Sequence, residues 1–318
     1  MSSFLLRLAG GLLMLTALAV ALMRAPDRSV ESLVLRWAPP PSDFIDLKGQ
    51  LVHVRDEGPR NDPLPIVLVH GISSSLHTWE GWARGLRGQR RVISFDLPGF
   101  GLTGPYAGAY AGRRYGGVEY AGFVLDLMDA LKVQRFVIAG NSLGGEVAWR
   151  TAVAAPQRVE RLVLVDAGGY PFRPGEVPLG MRLARLPGAS WIGRHLLPRA
   201  VIVDSVRNVY GDPAKVTDAL VDRYFEMALR EGNRKALAER MAVLAQGADP
   251  APIRTLSLPT LVIWGGRDRL IPPENAQRFA ADIPGSRLVM FDALGHVPQE
   301  EDPAATLVPV KAFLGVPP

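Results

Sequence analysis

The 318-residue sequence contains no cysteine. This absence excludes disulfide bonds, thiolate metal sites and a cysteine nucleophile, and it leaves the redox compartment open. The sequence also lacks a basic run. Its 36 Lys and Arg residues are scattered along the chain, and with 31 Asp and Glu residues the net charge is only +5. Nucleic-acid binders concentrate such charge on one face, so no nucleic acid is expected among the partners.

Low-complexity and disordered compositions are absent as well. Hydrophobic residues make up 48% of the chain and charged residues 21%, which is ordinary for a protein with a sizeable core. The length allows one large α/β domain with an insertion, or two modest domains.

The one long hydrophobic run lies at the N-terminus, in Phe4–Met23. Its uncharged part, Leu8–Met23, is slightly shorter than the ~20 residues of a spanning helix, but it comes close if Arg7 snorkels to the interface. We therefore expect residues 1–41 to form a hydrophobic anchor helix that holds the protein at a membrane, followed by a Pro-rich spacer. A cleaved signal segment, with a small-residue site at Ala17–Ala19 and a secreted or periplasmic product, is the alternative.

From residue 43 onwards, short apolar runs alternate with segments of helical periodicity. Ile66–His70 is a continuous apolar run, which is typical of a strand buried on both faces, whereas Gly117–Leu131 has helical spacing. This alternation predicts an α/β fold with a mostly parallel sheet that opens with a hairpin at Phe44–Leu47 and Leu51–Arg55. The remaining predicted strands are Val92–Asp96, Phe136–Gly140, Leu162–Asp166, Thr260–Trp264 and Arg287–Phe291.

The strand pattern stops over residues 170–255, where only amphipathic helical segments occur. A helical block inserted into such an alternation indicates a lid, so we divide the body into a core of residues 42–169 and 256–318 and a lid of residues 170–255. The predicted lid segments are Met181–Leu186, Trp191–Val203, Thr217–Leu229 and Lys235–Leu244.

A serine lies between a predicted strand and a predicted helix, in the G-x-S-x-G match Gly140–Gly144. A sharp strand-to-helix turn leaves no room for side chains two residues either way, which explains the flanking glycines. The turn would lift the Ser142 hydroxyl to a helix N-terminus, where developing negative charge is favoured. Ser142 is therefore the candidate nucleophile.

A serine nucleophile needs a base, and His296 is the candidate. It lies in the Gly-containing loop Ala293–Pro298, after the last predicted strand and at the same sheet edge as Ser142. His70 ends a strand and belongs with a candidate oxyanion loop. The other histidines lie in the hairpin, a loop and the lid, at His53, His77 and His195.

The acid that orients the base is predicted to be Asp268, which follows the second-last strand. The chain order Ser142, Asp268, His296 is the one expected for this arrangement. Asp166 also ends a strand and is the alternative acid.

Two backbone N–H groups are needed to hold the oxyanion of acyl transfer. Leu143 follows the nucleophile, and Ile72 lies in the loop after the first buried strand, where Gly71 lets the backbone turn in. Ser73 is a further candidate donor. The turn Asp96–Gly101 is interpreted as scaffolding.

These motifs occur together and in a fixed order, as the H-G-x loop, D-x-P-G-x-G, G-N-S-x-G-G, W-G-x-x-D and G-H-x-P. In this the chain resembles the α/β-hydrolase superfamily over residues 43–315, in its branch of esterases and meta-cleavage hydrolases. The resemblance implies an eight-stranded sheet with a helical cap after the sixth strand. Epoxide hydrolases and haloalkane dehalogenases have aspartate where this chain has Ser142, and meta-cleavage C–C hydrolases usually carry a longer Gly-Pro-Gly oxyanion loop than Gly71–Ser74.

We therefore expect a hydrolase of carboxylic esters with hydrophobic acyl or aryl groups, working through an acyl-enzyme without metal or organic cofactor. The lid, including Trp191, should supply an apolar acyl pocket, and the tyrosine-containing loop Gly104–Gly117 either lines its entrance or is a mobile surface loop. A C–C hydrolase, an acyltransferase and a cofactor-free perhydrolase on the same residues are alternatives, as is a ligand-binding protein without catalysis. The partner expected is a small-molecule ester.

Overall fold

One eight-stranded sheet forms the centre of the molecule. A computed structural model describes residues 2–171 and 196–317, and in it the strands are ordered β1-β2-β4-β3-β5-β6-β7-β8. The central strands are runs of aliphatic residues buried along their whole length, because helices cover both faces of the sheet. The strands are β1 (Ser42–Leu47), β2 (Gln50–Glu57), β3 (Ile66–Val69), β4 (Val92–Phe95), β5 (Phe136–Asn141), β6 (Val159–Val165), β7 (Thr260–Gly265) and β8 (Arg287–Phe291).

The sheet is mostly parallel, as predicted. β1 and β2 form an antiparallel hairpin, β2 also runs antiparallel to β4, and all other neighbours are parallel. The carboxyl ends of parallel strands meet at one edge, so the loops after β3, β5, β6, β7 and β8 lie together there.

Helices pack on both faces of the sheet and form a separate layer over its carboxyl edge. Two large hydrophobic clusters fill the spaces between the sheet and its covering helices. The described helices are α1 (Ser2–Met23), α2 (Val30–Trp37), α3 (Glu80–Leu86), α4 (Gly117–Ala130), α5 (Leu143–Ala154), α6 (Arg199–Val209), α7 (Asp218–Leu229), α8 (Asn233–Leu244), α9 (Glu274–Asp282), α10 (Pro298–Glu301) and α11 (Pro303–Leu314).

The helical block falls between β6 and β7, where α6, α7 and α8 lie in the chain. Thr217–Leu229 and Lys235–Leu244 correspond to α7 and α8 with small shifts at their ends. The predicted segment Met181–Leu186 lies outside the described residues, and so does the first part of Trp191–Val203, with Trp191 and His195. The rest of Trp191–Val203 runs into α6.

The expected membrane-spanning anchor is not supported. Among the helices in the part of the chain that the structure describes, none is long and apolar enough to cross a membrane. The uncharged part of α1, Leu8–Met23, would extend only ~24 Å as a helix, against a hydrocarbon core of ~30 Å. The alternative of a cleaved signal segment stays a prediction.

The segment after α1 is more ordered than a spacer. It contains the helix α2, whose Leu33 is fully buried against Leu102 and the lid residue Met227. Arg36 pairs with Glu226 of α7 at 2.7 Å, and the Trp37 indole N–H donates to the same carboxylate at 2.5 Å. This segment therefore joins the lid to the start of the sheet.

The tyrosine-containing loop lies at the surface, with residues 107–109 and 111–114 exposed, but its tyrosine side chains point inward. Tyr106, Tyr110 and Tyr115 are buried, and Tyr106 stacks on Tyr115 with ring centroids 5.0 Å apart. Together with Tyr120 they belong to the main core cluster. The tyrosines therefore do not line the described cavity over Ser142, which corrects the expectation of an entrance lining, because ring contacts bury them in the core.

Candidate active site

Ser142 lies on a strained turn between β5 and α5. Its φ of 57° and ψ of −117° are unusual for a residue with a side chain. The backbone is fixed there by three hydrogen bonds. The Ser142 N–H donates to the Val165 carbonyl at 3.1 Å, and the Ser142 carbonyl accepts the N–H groups of Gly168 at 2.9 Å and Glu146 at 3.2 Å. The serine side chain borders a cavity at the carboxyl edge of the sheet.

The glycines around this turn are required by close backbone approaches. A Cβ on Gly140 would lie 1.9 Å from the Gly144 carbonyl oxygen, and one on Gly144 would lie 2.0 Å from the Val69 carbonyl oxygen. A Cβ on Gly145 would meet that of Ala167 at 2.4 Å. The predicted lack of room on both sides of Ser142 is therefore observed.

His296 and Asp268 are brought into direct contact. The His296 Nδ1 lies 2.7 Å from Asp268 Oδ2, and both side chains are buried. The other oxygen of Asp268 accepts the backbone N–H groups of Leu270 at 2.7 Å and Ile271 at 3.0 Å. These bonds fix the carboxylate, which in turn fixes the tautomer with hydrogen on Nδ1 and leaves Nε2 as a base.

Three separate elements hold the His296 loop. The His296 N–H donates to the Val209 carbonyl of α6 at 2.8 Å, and the Asn141 side chain donates to the His296 carbonyl at 2.9 Å. The Glu301 carboxylate accepts the N–H groups of Gly295 at 2.8 Å and of Gly211 at 2.9 Å, which joins this loop to the lid.

His296 and Ser142 border the same cavity without a hydrogen bond between them. Within residues 2–171 and 196–317, the buried Nε2 of His296 has no hydrogen-bond partner. In free enzymes, catalytic hydrogen bonds of this kind are often long and shorten only when substrate is bound.

Asp166, the alternative acid, lies behind this pair. Burial, followed by the neighbouring Asp268 carboxylate, raises the pKa of Asp166 well above its usual range. One oxygen of Asp166 accepts the Gly265 N–H at 3.0 Å. The bond to His296 is made by Asp268 and not by Asp166, and a neutral Asp166 adds no second negative charge beside it.

Asp166, Asp268 and His296 also carry ligand-type atoms within 4.8 Å of one another, the spacing of a metal site. Nδ1 of His296 is already engaged with Asp268, and burial favours a neutral Asp166. The donor set therefore fits a His–carboxylate pair better than a divalent cation.

The loop after β3 lies directly against the serine turn. A Cβ on Gly71 would lie 3.1 Å from the Ser142 Cβ. His70 anchors the loop: burial lowers its pKa, its Nε2 accepts the Leu97 N–H at 2.9 Å, and its Nδ1 donates to the Gly71 carbonyl at 2.7 Å.

Ile72 and Leu143, the predicted oxyanion donors, both border the cavity. In the described parts of the chain, neither backbone N–H makes a hydrogen bond. Ser73 has a φ of 58°, so the loop turns sharply just after Ile72. The N–H groups of Ile72 and Leu143 are thus available to a ligand beside Ser142.

The Asp96 turn is scaffolding, as interpreted. Asp96 is fully buried and accepts the N–H groups of Leu76 and Leu102, each at 2.7 Å, and His53 Nδ1 at 2.7 Å. Burial opposes ionisation, but the charge and hydrogen bond of His53 outweigh it and hold the pKa of Asp96 well below its usual range. This ties the oxyanion loop to the first hairpin.

The cavity over these residues has a volume of about 250 Å³. Its lid wall is largely aliphatic, with the predicted Leu, Met and Val side chains from α6 and α8. Four charged residues that sequence reasoning missed also border it, namely Glu146, Arg150, Arg234 and Arg240. No motif marks them, because Arg240 meets Glu146 only through the packing of the lid on the core.

Comparison with known proteins agrees with this architecture. A family model described as the alpha/beta hydrolase fold matches residues 65–303. The chain belongs to this family, and several of its relatives are named as hydrolases.

Individual relatives extend over most of the chain. An uncharacterized protein of Mycobacterium tuberculosis is 31% identical over 291 residues, covering 87% of this chain and 82% of that protein. A 2-hydroxy-6-oxo-2,4-heptadienoate hydrolase of Pseudomonas putida is 30% identical over 260 residues, covering 79% of this chain and 88% of that protein. Among solved structures, a meta-cleavage product hydrolase from Pseudomonas fluorescens is 25% identical and superposes with a TM-score of 0.73 over 86% of this chain and 97% of that one.

Proposed function

We propose that the protein is a serine hydrolase that cleaves carboxylic esters with hydrophobic acyl or aryl groups. The observation that carries this proposal is the convergence on one cavity of the strained Ser142, the His296–Asp268 pair and the unengaged N–H groups of Ile72 and Leu143.

Each of these groups has a role in acyl transfer. Ser142 Oγ attacks the ester carbonyl while His296 Nε2 takes its proton, and the N–H groups of Ile72 and Leu143 stabilise the oxyanion. Asp268 stabilises the imidazolium, which then gives its proton to the departing alcohol. Water, activated by the same base, hydrolyses the acyl-enzyme and restores Ser142.

The lining of the cavity supports a hydrophobic ester group. Aliphatic side chains of α6 and α8 face Ser142 from the lid, including Val206, Leu237 and Met241. Burial of an acyl chain there stabilises the complex by about 0.8 kcal/mol per methylene.

A C–C bond hydrolase is the second candidate, favoured by the relatives whose names specify meta-cleavage or dienoate hydrolysis. Such a reaction would use the same serine and base on a vinylogous diketone. Acyl transfer to an alcohol or to peroxide would need the same acyl-enzyme and differ only in the acceptor.

The test is hydrolysis of p-nitrophenyl esters from acetate to decanoate by the full chain. We expect activity that rises with acyl length to an optimum and falls by about a thousandfold or more in Ser142→Ala. Ser286→Ala, in the loop before β8, serves as the control and should behave like the parent. A folded Ser142→Ala variant as active as the parent would rule out this nucleophile, and cleavage of a vinylogous diketone but of no ester would favour the C–C reaction.

A further inference from the structure

Three charged side chains form a cluster at one end of the cavity, and the proposed ester hydrolysis gives them no role. Glu146 Oε1 accepts Arg150 Nε at 3.0 Å, and Glu146 Oε2 accepts Arg240 Nη2 at 2.7 Å. Arg240 is only 3% exposed, and its Nη1 donates to the Tyr115 carbonyl at 3.1 Å. All three residues border the cavity.

The charges of this cluster do not balance. Two guanidinium groups share one carboxylate, and neither arginine forms an ion pair with any other carboxylate in the described part of the chain. Within those same residues, the buried Nε of Arg240 and the terminal nitrogens of Arg150 have no hydrogen-bond partner. Arg234, which also borders the cavity, pairs with Asp27. Arg150 also stacks on Trp149, with its guanidinium carbon 4.3 Å from the ring centroid. Among the described residues the cavity wall thus carries one positive charge more than its carboxylates balance, and an anionic ligand would balance it.

The position of the cluster suits a substrate already attached at Ser142. Glu146 lies one helical turn from the serine, and its N–H donates to the Ser142 carbonyl at 3.2 Å. Arg150 lies one further turn along α5 and reaches back to Glu146. The cationic group thus lies ~6 to 12 Å along the helix from the nucleophile, a distance that a medium-length chain spans, and the aliphatic Leu237 and Met241 border the same cavity.

We propose that Arg150 and Arg240, which are held together by Glu146, bind a carboxylate group of the substrate, so that the preferred esters are apolar molecules with a carboxylate distant from the scissile bond. A single surplus positive charge matches a monoanion, and the planar guanidinium group matches a carboxylate. This inference rests on the proposed ester hydrolysis and adds the substrate class.

Two matched substrate pairs test it. The mono-p-nitrophenyl ester of adipic acid is compared with p-nitrophenyl hexanoate, and 4-carboxyphenyl hexanoate with phenyl hexanoate. We expect the full chain to prefer the carboxylate member of at least one pair by about tenfold or more in kcat/KM. The pair that responds identifies which part of the ester carries the carboxylate, and the absence of a preference in both pairs would overturn the proposal.

Variants separate binding from a purely structural ion pair. Arg150→Met should abolish the preference, whereas Glu146→Gln, which keeps the size and removes the opposing charge, should increase it. A role only in holding the lid predicts that both changes lower activity on all four esters alike, and that result would contradict the proposal. Arg135→Met is the matched control, because Arg135 pairs with Glu160 at the surface and its side chain is 62% exposed.

A binding measurement distinguishes failure of this inference from failure of the proposed function. If no ester is cleaved, the proposed function fails, and the subsite is then tested with octanoate and neutral octanamide on the Ser142→Ala protein by calorimetry. Tighter binding of octanoate that is lost in Arg150→Met on this background supports the subsite. Equal binding of the two, or a preference for octanoate that survives Arg150→Met, overturns it.

Discussion

At the scale of single residues, the backbone of Ser142 is held in a conformation that a residue with a side chain rarely adopts. A φ of 57° costs on the order of 1–3 kcal/mol, which the surrounding packing must offset. The conformation places the hydroxyl at the start of α5 and beside Gly71, so both unengaged N–H groups lie next to it. The strained backbone thus belongs to the residue whose hydroxyl is the proposed nucleophile.

The buried carboxyl of Asp166 should make the free energy of unfolding depend on pH. Its pKa is raised in the folded protein by burial and by Asp268, so the native state holds this proton more tightly than the unfolded chain does. The stabilisation is therefore complete below the ordinary Asp pKa, and it is lost as pH rises from there towards the folded-state value. Asp166→Asn stays neutral, so the free energy of unfolding of the parent should fall relative to that of the variant, by up to about 1.4 kcal/mol per pH unit in that range.

Urea denaturation of both proteins between pH 5 and pH 8 measures this difference. Asp166→Leu, which cannot donate to or accept from its neighbours, should lower kcat, while Asp166→Asn should stay within a few fold of the parent. A constant stability difference across the pH range would show that Asp166 is not held neutral.

The sequence could predict the residues that belong to a local motif and not those joined only by tertiary packing. Ser142 and His296 each lie in a glycine-containing turn after a strand, so the local motif and its place in the strand–helix order indicated them. Arg240 reaches Glu146 from the lid, and no periodicity of either helix encodes that contact. The motif and the chain order favoured Asp268 over Asp166 as the acid, and the hydrogen bond between Asp268 and His296 agrees with that choice.

At the scale of elements, the turn from β5 into α5 depends on glycine for space. Gly144→Ala would place a Cβ 2.0 Å from the Val69 carbonyl oxygen, so β3 and α5 would have to separate. We expect a loss of several kcal/mol in the free energy of unfolding or failure to fold, because overpacking alone costs about 1–3 kcal/mol. Chemical denaturation measures it.

Gly122 in α4 is the matched control, since a Cβ there meets no atom within 4 Å. Gly122→Ala should stabilise the protein by about 0.5–1 kcal/mol, the usual gain of alanine over glycine inside a helix. Equal effects of the two substitutions would contradict the account of the turn.

Elements with strong periodicity were predicted within a few residues of their bounds, as for α4 and β5. The exceptions depend on tertiary contacts. Helix α2 is eight residues long, too short to be stable alone, and it is held by burial of Leu33 and by ion pairs to α7. The loop with Tyr106 and Tyr110 is exposed at most of its other residues, as its composition indicates, but its tyrosine rings are buried by contacts that no local pattern encodes.

At the scale of the whole molecule, the segment before the sheet and the lid form one connected layer. Glu226 of α7 accepts from Arg36 and from the Trp37 indole, and Arg28 lies 3.3 Å away. Glu226→Gln removes the charge from this contact and should lower the free energy of unfolding by about 0.5–1 kcal/mol, because both arginines are partly exposed and screened by solvent. Cleavage by trypsin at Arg28 and Arg36 should become faster.

The control for that change is Glu274→Gln, because Glu274 is exposed at the start of α9. It should leave both the stability and the cleavage rate unchanged. Equal cleavage of the parent and Glu226→Gln would indicate that this segment is held by the burial of Leu33 alone.

The central claim is that Ser142 carries the acyl group during turnover. The most direct measurement is mass spectrometry of the protein quenched in acid within the first turnovers of p-nitrophenyl octanoate, followed by peptide mapping. We expect one octanoyl group, located on Ser142 and absent from the Ser142→Ala protein. An octanoyl group on any other residue, or rapid turnover with no covalent intermediate on Ser142, would contradict it.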